Sequence, residues 1–302
     1  MGIIVLAVAV LPMLGVGGMQ LYRAETPGPM KESKLTPRIK ETAKMLWYIY
    51  LSLTICCAVA YYLAGMSFFD AVAHSFSTVA IGGFSTHNMS IGYFDNAMIE
   101  LVAIFFMFVA GVNFTLHFIS WRQKSIAHYL KDSEFVTYAS ILILAFLVCS
   151  IGLFSLSAPD ADISTIIRKS LFQTISMGTT AGFSTDQFQQ WPLFFPLILI
   201  FLSFVGGCAG STGGGIKVVR CLLLYKQGIR EIQRLIHPNA VLKIRMGNRA
   251  VSSRVIEAVW GFFAAYVVVF ILLMLALMVT GLDPITSFSA VAACLNNLGP
   301  GL

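Results

Sequence analysis

The sequence predicts an all-α polytopic membrane protein in which a span, a short re-entrant helix, a loop and a second span recur along the chain. Three observations support this fold class: 57% of the 302 residues are hydrophobic, only 11% are charged, and one loop sequence recurs between long apolar stretches. An average soluble domain carries about 25% charged residues. So little charge cannot cover a water-facing surface of this size, which excludes soluble enzymes, disordered tails and secreted disulfide scaffolds.

Long apolar stretches define the spans. A helix needs about 20 residues to cross about 30 Å of hydrocarbon, and the stretches of this length are 45–65, 96–121, 134–156, 191–224 and 255–281. Three shorter apolar pieces, at 68–80, 164–177 and 284–295, are predicted to be re-entrant helices. Residues 1–20 begin without the charged start and cleavage site of a signal peptide, so they are predicted to end a preceding span.

The basic residues fix the sidedness of the chain. All but two of the 20 Lys and Arg residues lie at 21–44, 122–133 and 216–254. The positive-inside rule makes these segments cytoplasmic, so the short apolar pieces enter from the opposite face. The exceptions are Arg168 and Lys169. The net charge of +6 therefore follows from topology and predicts no nucleic-acid partner.

One loop sequence repeats along the chain. Residues 83–86 read Gly-Phe-Ser-Thr, and residues 182–185 read the same. A third loop, at 296–301, shares only the glycine and its place after a short apolar piece. A unit of two spans and a re-entrant segment returns the chain to the side of the membrane on which it began, so the next unit has the same orientation. The units are therefore predicted to be parallel repeats.

The repeated loops are the candidate ion site. Each follows a helix that ends inside the membrane, where free carbonyls are tolerated only if they face water or bind an ion. Three helix C-termini favour a cation. Only Asp186, just beyond the second loop, is acidic, which favours a monovalent ion held by backbone carbonyls over a divalent ion held by carboxylates. For any single loop, a turn capped by Ser or Thr is the alternative. The candidate potassium-binding residues are Ala80, Ile81, Gly82, Gly83, Thr179, Thr180, Ala181, Gly182, Asn296, Asn297, Leu298 and Gly299.

A second feature interrupts the stretch at 191–224. Six glycines within 206–215 cannot hold a helix, since each costs about 1 kcal/mol relative to Ala. A phosphate-binding loop is the alternative, but Ile216 separates Lys217 from the glycines and the flanking sequence predicts a long apolar helix. Unwound chain at membrane depth must face a cavity, so this segment is predicted to be a gate. The candidate gating residues are Gly206, Gly207, Gly210, Ser211, Thr212, Gly213, Gly214 and Gly215.

Other chemistry has weaker support. The five histidines lie in five different segments without metal-ligand spacing. An intramembrane serine hydrolase could use Ser85 with His87 as its base, but the second loop has Asp186 and Gln187 in the region where a base is needed. Asp70 and Asp283 are interpreted as helix N-caps, with ion attraction as the alternative. The prediction is a transporter without a cofactor and not an enzyme.

These features together resemble the Trk/Ktr/HKT superfamily of potassium transporters. The likeness rests on the loops at 78–86, 178–185 and 294–301 and on the Gly-rich run at 206–217, and it covers essentially the whole chain. It implies a pseudo-fourfold pore of membrane-pore-membrane repeats, potassium as the substrate, symport, and a gating loop in the third repeat. It also implies a homodimer in the bacterial inner membrane with a cytosolic nucleotide-binding regulatory ring.

The resemblance divides the chain into repeats. Nothing matches the first filter, and the chain stops just after the fourth, so potassium and sodium selectivity stay open and a sodium-permeable relative is the alternative. The predicted division is the end of a preceding repeat at 1–20, a basic loop at 21–44, the second repeat at 45–121, a cytoplasmic loop at 122–133, the third repeat at 134–224, a basic segment at 225–254 and a fourth repeat, truncated after its filter, at 255–302.

Overall fold

A computed structural model describes residues 39–156, 162–192, 194–238, 240, 242–247 and 249–301. The predicted end of a preceding span at 1–20, and the loop that follows as far as residue 38, lie outside these residues. The helices are α1 (Ile39–Leu63), α2 (Phe68–Val79), α3 (Ala97–Ala110), α4 (Phe114–Arg122), α5 (Ala127–Lys131), α6 (Ser133–Leu156), α7 (Ile163–Thr179), α8 (Phe195–Val205), α9 (Val218–Ile236), α10 (Ser253–Val279) and α11 (Pro284–Leu295). Two-residue strands β1 (Arg245–Met246) and β2 (Arg249–Ala250) pair antiparallel between α9 and α10.

The helices pack as a repeated unit. Each short helix lies against the long helix before it, in the pairs α1 with α2, α6 with α7 and α10 with α11. The units also meet in one rotational order, because α3 of the first packs on α7 of the second and α8 of the second packs on α11 of the third. The sequence repeat is therefore a structural repeat.

Three helices among the described residues are long and apolar enough to cross a membrane, namely Met45–Leu63, Ser133–Leu156 and Ser253–Val279. The pair α3 and α4 would be a fourth only if it is counted as one bent span. Side chains such as Leu272 and Val268 on α10 are more than half exposed, as expected for a helix that faces lipid.

The predicted continuous helix at 96–121 is broken in the structure. It bends by 92° between Ala110 and Phe114. Gly111 ends α3, and the Asn113 side chain accepts a hydrogen bond of 2.8 Å from the Thr115 N–H at the start of α4. An N-cap of this kind satisfies a backbone donor that a continuous helix would satisfy internally, so the break is locally stable.

The predicted interruption near residue 206 is present, but the flanking helices differ in extent. Helix α8 begins only at Phe195, with a proline in its first turn, and ends at Val205. Helix α9 continues to Ile236, well into the predicted basic segment at 225–254. Its first turns pack Leu223 and Val219 against Ile244 and Val251, whereas Leu235 and Ile236 at its end are exposed.

Candidate functional site

The three repeated loops adopt the same backbone conformation. Each short helix ends just before its loop, at Val79, Thr179 and Leu295. The backbone is left-handed at the loop glycine and again two residues earlier. The φ angles are +68°, +79° and +96° at Gly83, Gly182 and Gly299, and +54°, +68° and +56° at Ile81, Thr180 and Asn297. Non-glycine residues rarely adopt this conformation, and three copies of it at matched positions point to a function.

Matched hydrogen bonds hold these conformations. In the first loop the Gly82 N–H donates to the Ser77 carbonyl over 2.7 Å and the Ile81 N–H to Thr78 over 3.1 Å. This pattern is a Schellman motif, which satisfies carbonyls at a helix C-terminus. The second and third loops repeat the longer-range bond at 2.8 Å each, from Ala181 to Ser176 and from Leu298 to Ala293.

Two of the three loop glycines lie against the next loop. A Cβ built on Gly83 would lie 2.0 Å from the Ala181 carbonyl oxygen, and one on Gly182 would lie 1.8 Å from the Leu298 oxygen. No other residue type fits at such distances. At Gly299 no described atom lies within 4 Å of a built Cβ. The three loops therefore form an arc of backbone carbonyls, joined glycine to carbonyl.

Polar side chains support the loops from behind. The Ser176 hydroxyl donates to the Phe183 carbonyl over 2.6 Å in a buried setting. In the third loop, Asn296 is fully buried. Its side chain accepts from the Tyr266 hydroxyl over 2.7 Å and donates to Ser203 over 3.1 Å. These contacts fix the backbone of the second and third loops.

The serine of the hydrolase alternative has a structural partner. The Ser85 hydroxyl lies 2.9 Å from Nε2 of His74 and accepts from the His87 N–H, so the predicted base, His87, is not the imidazole partner. In the second loop, the Gln173 amide makes the equivalent contact with Ser184 at 3.3 Å. Glutamine cannot act as a base, so the shared hydrogen bond positions the loop.

Acidic residues near the loops are engaged elsewhere. Asp186 lies 3.3 Å from the Lys169 ammonium and accepts from the Trp191 indole over 3.1 Å. Arg168 lies 3.5 Å from buried Glu100, so both bases that break the positive-inside pattern have carboxylate neighbours. Among the described residues no group of three or more His, Cys, Asp or Glu side chains could hold a metal ion.

The outer ends of the short helices are capped. Asp283 caps α11 as predicted, and Asp162 caps α7. The prediction that Asp70 caps α2 is wrong, because the N-cap is Ser67. Asp70 lies in the first turn of the helix, and its carboxylate accepts a hydrogen bond from the Ser67 hydroxyl. Hydrogen bonds, chiefly from the Thr165 and Thr286 hydroxyls, lower the pKa of Asp162 and of Asp283, which keeps both carboxylates ionised at helix N-termini.

The Gly-rich loop, residues 206–215, lies directly against the arc. The Thr212 hydroxyl donates to the Val79 carbonyl over 2.9 Å. The Gly214 N–H donates to the Thr180 hydroxyl over 2.6 Å, and the Gly215 N–H donates to the Asn296 carbonyl over 3.2 Å. A Cβ on Gly214 would lie 2.1 Å from the same Asn296 oxygen. The Gly-rich loop thus contacts the end of α2 and the second and third repeated loops.

The bend between α3 and α4 receives the other side of the Gly-rich loop. The Cys208 N–H donates to the Gly111 carbonyl over 2.9 Å, and the Phe114 N–H donates to the Gly210 carbonyl over 3.1 Å. Sequence reasoning missed this contact, although Gly111 and Asn113 inside an apolar stretch were the available signal. It also missed Glu134, whose carboxylate accepts from the Ala209 N–H over 2.6 Å.

Comparison with known proteins gives a consistent result. A family model described as "TrkH: Cation transport protein" matches residues 1–302. The chain is 58% identical to the Trk system potassium uptake protein TrkH of Vibrio parahaemolyticus, over all of this chain and 62% of that protein. It is 55% identical to TrkH of Escherichia coli K12, again over 100% and 62% of the two chains. The crystal structure of the potassium transporter TrkH from Vibrio parahaemolyticus superimposes with a TM-score of 0.86 at 54% identity, covering all of this chain and 61% of that one.

Proposed function

The chain belongs to the TrkH family of cation transport proteins, and we propose that it takes part in potassium uptake by forming three quarters of a carbonyl-lined filter. The chain spans 62% of the length of the curated relatives it matches. Potassium uptake is an activity of the whole transporter, so for this chain it belongs to the proposal. The family is one of transporters and not of enzymes.

The observation that carries the proposal is the arc in which Gly83 abuts Ala181 and Gly182 abuts Leu298. Carbonyl oxygens replace the hydration shell of a monovalent cation, and the partial negative charge of three helix C-termini adds to the attraction. The filter residues are those at 80–83, 179–182 and 296–299. Potassium is the substrate, as the names of the relatives indicate for those proteins.

The Gly-rich loop is proposed to be the gate. Support comes from its contacts with Val79, Thr180 and Asn296, which put it across the ends of the helices that carry the filter. Glycines at 213 and 214 allow this close approach, because a side chain there would collide with the Thr179 and Asn296 carbonyls. Displacement of the loop would open the path.

The proposal extends to location and partners. The apolar helices and the basic segments favour a multi-pass protein of the bacterial cytoplasmic membrane with its basic face inside. The resemblance in sequence favours a homodimer, a cytosolic nucleotide-binding regulatory ring and symport. The relatives are named as parts of a Trk system, which fits a membrane component with partners.

A chimera tests the proposal. In it, this chain replaces the matching 62% of the Vibrio parahaemolyticus relative. Expressed in a bacterium that lacks potassium uptake, the chimera should restore rubidium uptake and growth on low potassium, while the vector alone should not. Uptake of sodium in place of rubidium, or of neither ion by a correctly inserted chimera, would contradict the proposal.

A further inference from the structure

One carboxyl group binds the backbone of the interruption between α8 and α9. Glu134, in the first turn of α6, is buried with 7% of its surface exposed. Its Oε1 accepts a hydrogen bond of 2.6 Å from the Ala209 N–H, within the Gly-rich loop. The Val219 N–H, at the start of α9, lies near the same carboxyl group. A single side chain therefore joins the loop to α6.

The start of α9 needs such a partner. The first N–H groups of a helix have no intrahelical acceptor, and the N-cap residue Lys217 makes no side-chain capping bond. The Val218 N–H donates to the Gly207 carbonyl over 3.2 Å, and the Glu134 carboxyl group lies near the Val219 N–H. Glu134 thus brings a polar side chain from another helix to a helix start that has no side-chain cap of its own.

The contact with Glu134 is shorter than three of the loop's other contacts. The Ala209 N–H lies 2.6 Å from the Glu134 carboxyl oxygen, whereas the bonds to Val79, Gly111 and Asn296 are 2.9, 2.9 and 3.2 Å long. The Lys217 ammonium donates to the Gly213 carbonyl, which joins the loop to the start of α9.

We propose that Glu134 is a positioning residue that holds the Gly-rich loop across the filter and so sets how readily the gate opens. This inference rests on the proposed function for its link to transport. Its first part, that the carboxylate restrains the loop, can be tested without any transport measurement.

The native cysteines give that test. Cys208, beside Ala209 in the loop, and Cys149, on α6, are both buried, with 1% and 0% of their surfaces exposed. Alkylation of each by N-ethylmaleimide is followed by mass spectrometry in the chimera and in its Glu134→Ala and Glu134→Gln variants. Glu134→Ala should speed modification of Cys208 by about tenfold, the effect of losing one buried hydrogen bond, and leave Cys149 unchanged. Glu134→Gln keeps one acceptor oxygen and should fall between.

The control is Glu257→Ala, which removes an exposed glutamate from the early turns of α10. It should change neither cysteine. Faster modification of both Cys208 and Cys149 in Glu134→Ala would mean general loosening and would overturn the inference, as would no change at either.

Flux connects the loop to transport. In proteoliposomes, Glu134→Ala should raise basal rubidium flux by about tenfold, with the preference for rubidium over sodium unchanged, because the filter is untouched. Faster alkylation of Cys208 without a change in rubidium flux would overturn the link between Glu134 and the gate. A chimera that carries no rubidium with Glu134 intact contradicts the proposed function instead, and the cysteine result stands apart from it.

Discussion

The hydroxyl of Thr212 donates to the carbonyl of Val79 over 2.9 Å, which connects residues 133 positions apart in the chain. Val79 is the last residue of α2, so its carbonyl has no partner within the helix. The Gly-rich loop thus satisfies a polar group at the base of the first repeated loop, and the two are coupled directly.

Thr212→Val should weaken that coupling. The substitution keeps the shape of the side chain and removes the donor. The Val79 carbonyl then loses this hydrogen bond, which should cost about 1–3 kcal/mol of stability in the closed arrangement. Basal rubidium flux through the chimera should rise several-fold, because the closed loop loses stability. Thr212→Ser keeps the hydroxyl and should behave like the parent. Equal flux in the parent and both variants would show that this bond does not hold the gate.

Gly182→Ala should strongly reduce transport. The added Cβ would lie 1.8 Å from the Leu298 oxygen, at a φ of +79° that L-residues rarely adopt. The loops must move apart, and we expect rubidium uptake to fall at least tenfold for a barrier increase of about 1.4 kcal/mol or more. Gly228→Ala is the control, because nothing lies within 4 Å of its Cβ. Uptake at the parental rate by Gly182→Ala would remove the basis of the filter proposal.

Deletion of residues 207–214 separates gating from selection. The loop is proposed to obstruct and not to coordinate, so the shortened chimera should conduct rubidium continuously and still prefer it to sodium. Single-channel or flux recordings decide this. Loss of all flux in a protein that is still inserted in the membrane would make the segment a structural one.

Ser85→Ala distinguishes the transporter from the hydrolase alternative. It removes a partner of His74 and should cost about 1 kcal/mol of stability, with uptake within about twofold of the parent. The comparison is Ser176→Ala, which leaves the Phe183 carbonyl buried without its 2.6 Å hydrogen bond and should disturb the second loop more. Complete loss of function in a stable Ser85→Ala protein would favour chemistry at that serine.

Local rules predicted much of this molecule, and long-range contacts explain what they missed. The glycines at 206–215 and the Asp283 cap act within a few residues, so the interruption and the start of α11 could be read from sequence. The bend at Gly111 was hidden because its flanks are apolar enough for one span. The partnership of Glu134 with Ala209 crosses 75 residues and leaves no local signal.

The left-handed residues before the loop glycines show the same limit. Glycine is the usual residue for that conformation, and it is present at Gly83, Gly182 and Gly299. Ile81, Thr180 and Asn297 adopt it without being glycine. Their conformation is imposed by the Schellman bonds and the packing around each helix end, which sequence propensity does not report.

The contacts of Gly83 and Gly182 with the neighbouring loops have a consequence for how such a protein can diverge. Units that arise by duplication begin as interchangeable copies, but Gly83 meets an alanine carbonyl and Gly182 meets a leucine carbonyl in a different setting. A change in one loop therefore has to be accommodated by the loop on one particular side of it. The two loops that both read Gly-Phe-Ser-Thr can therefore no longer be exchanged. A substitution in one of them should be accompanied by a substitution in the loop that it contacts.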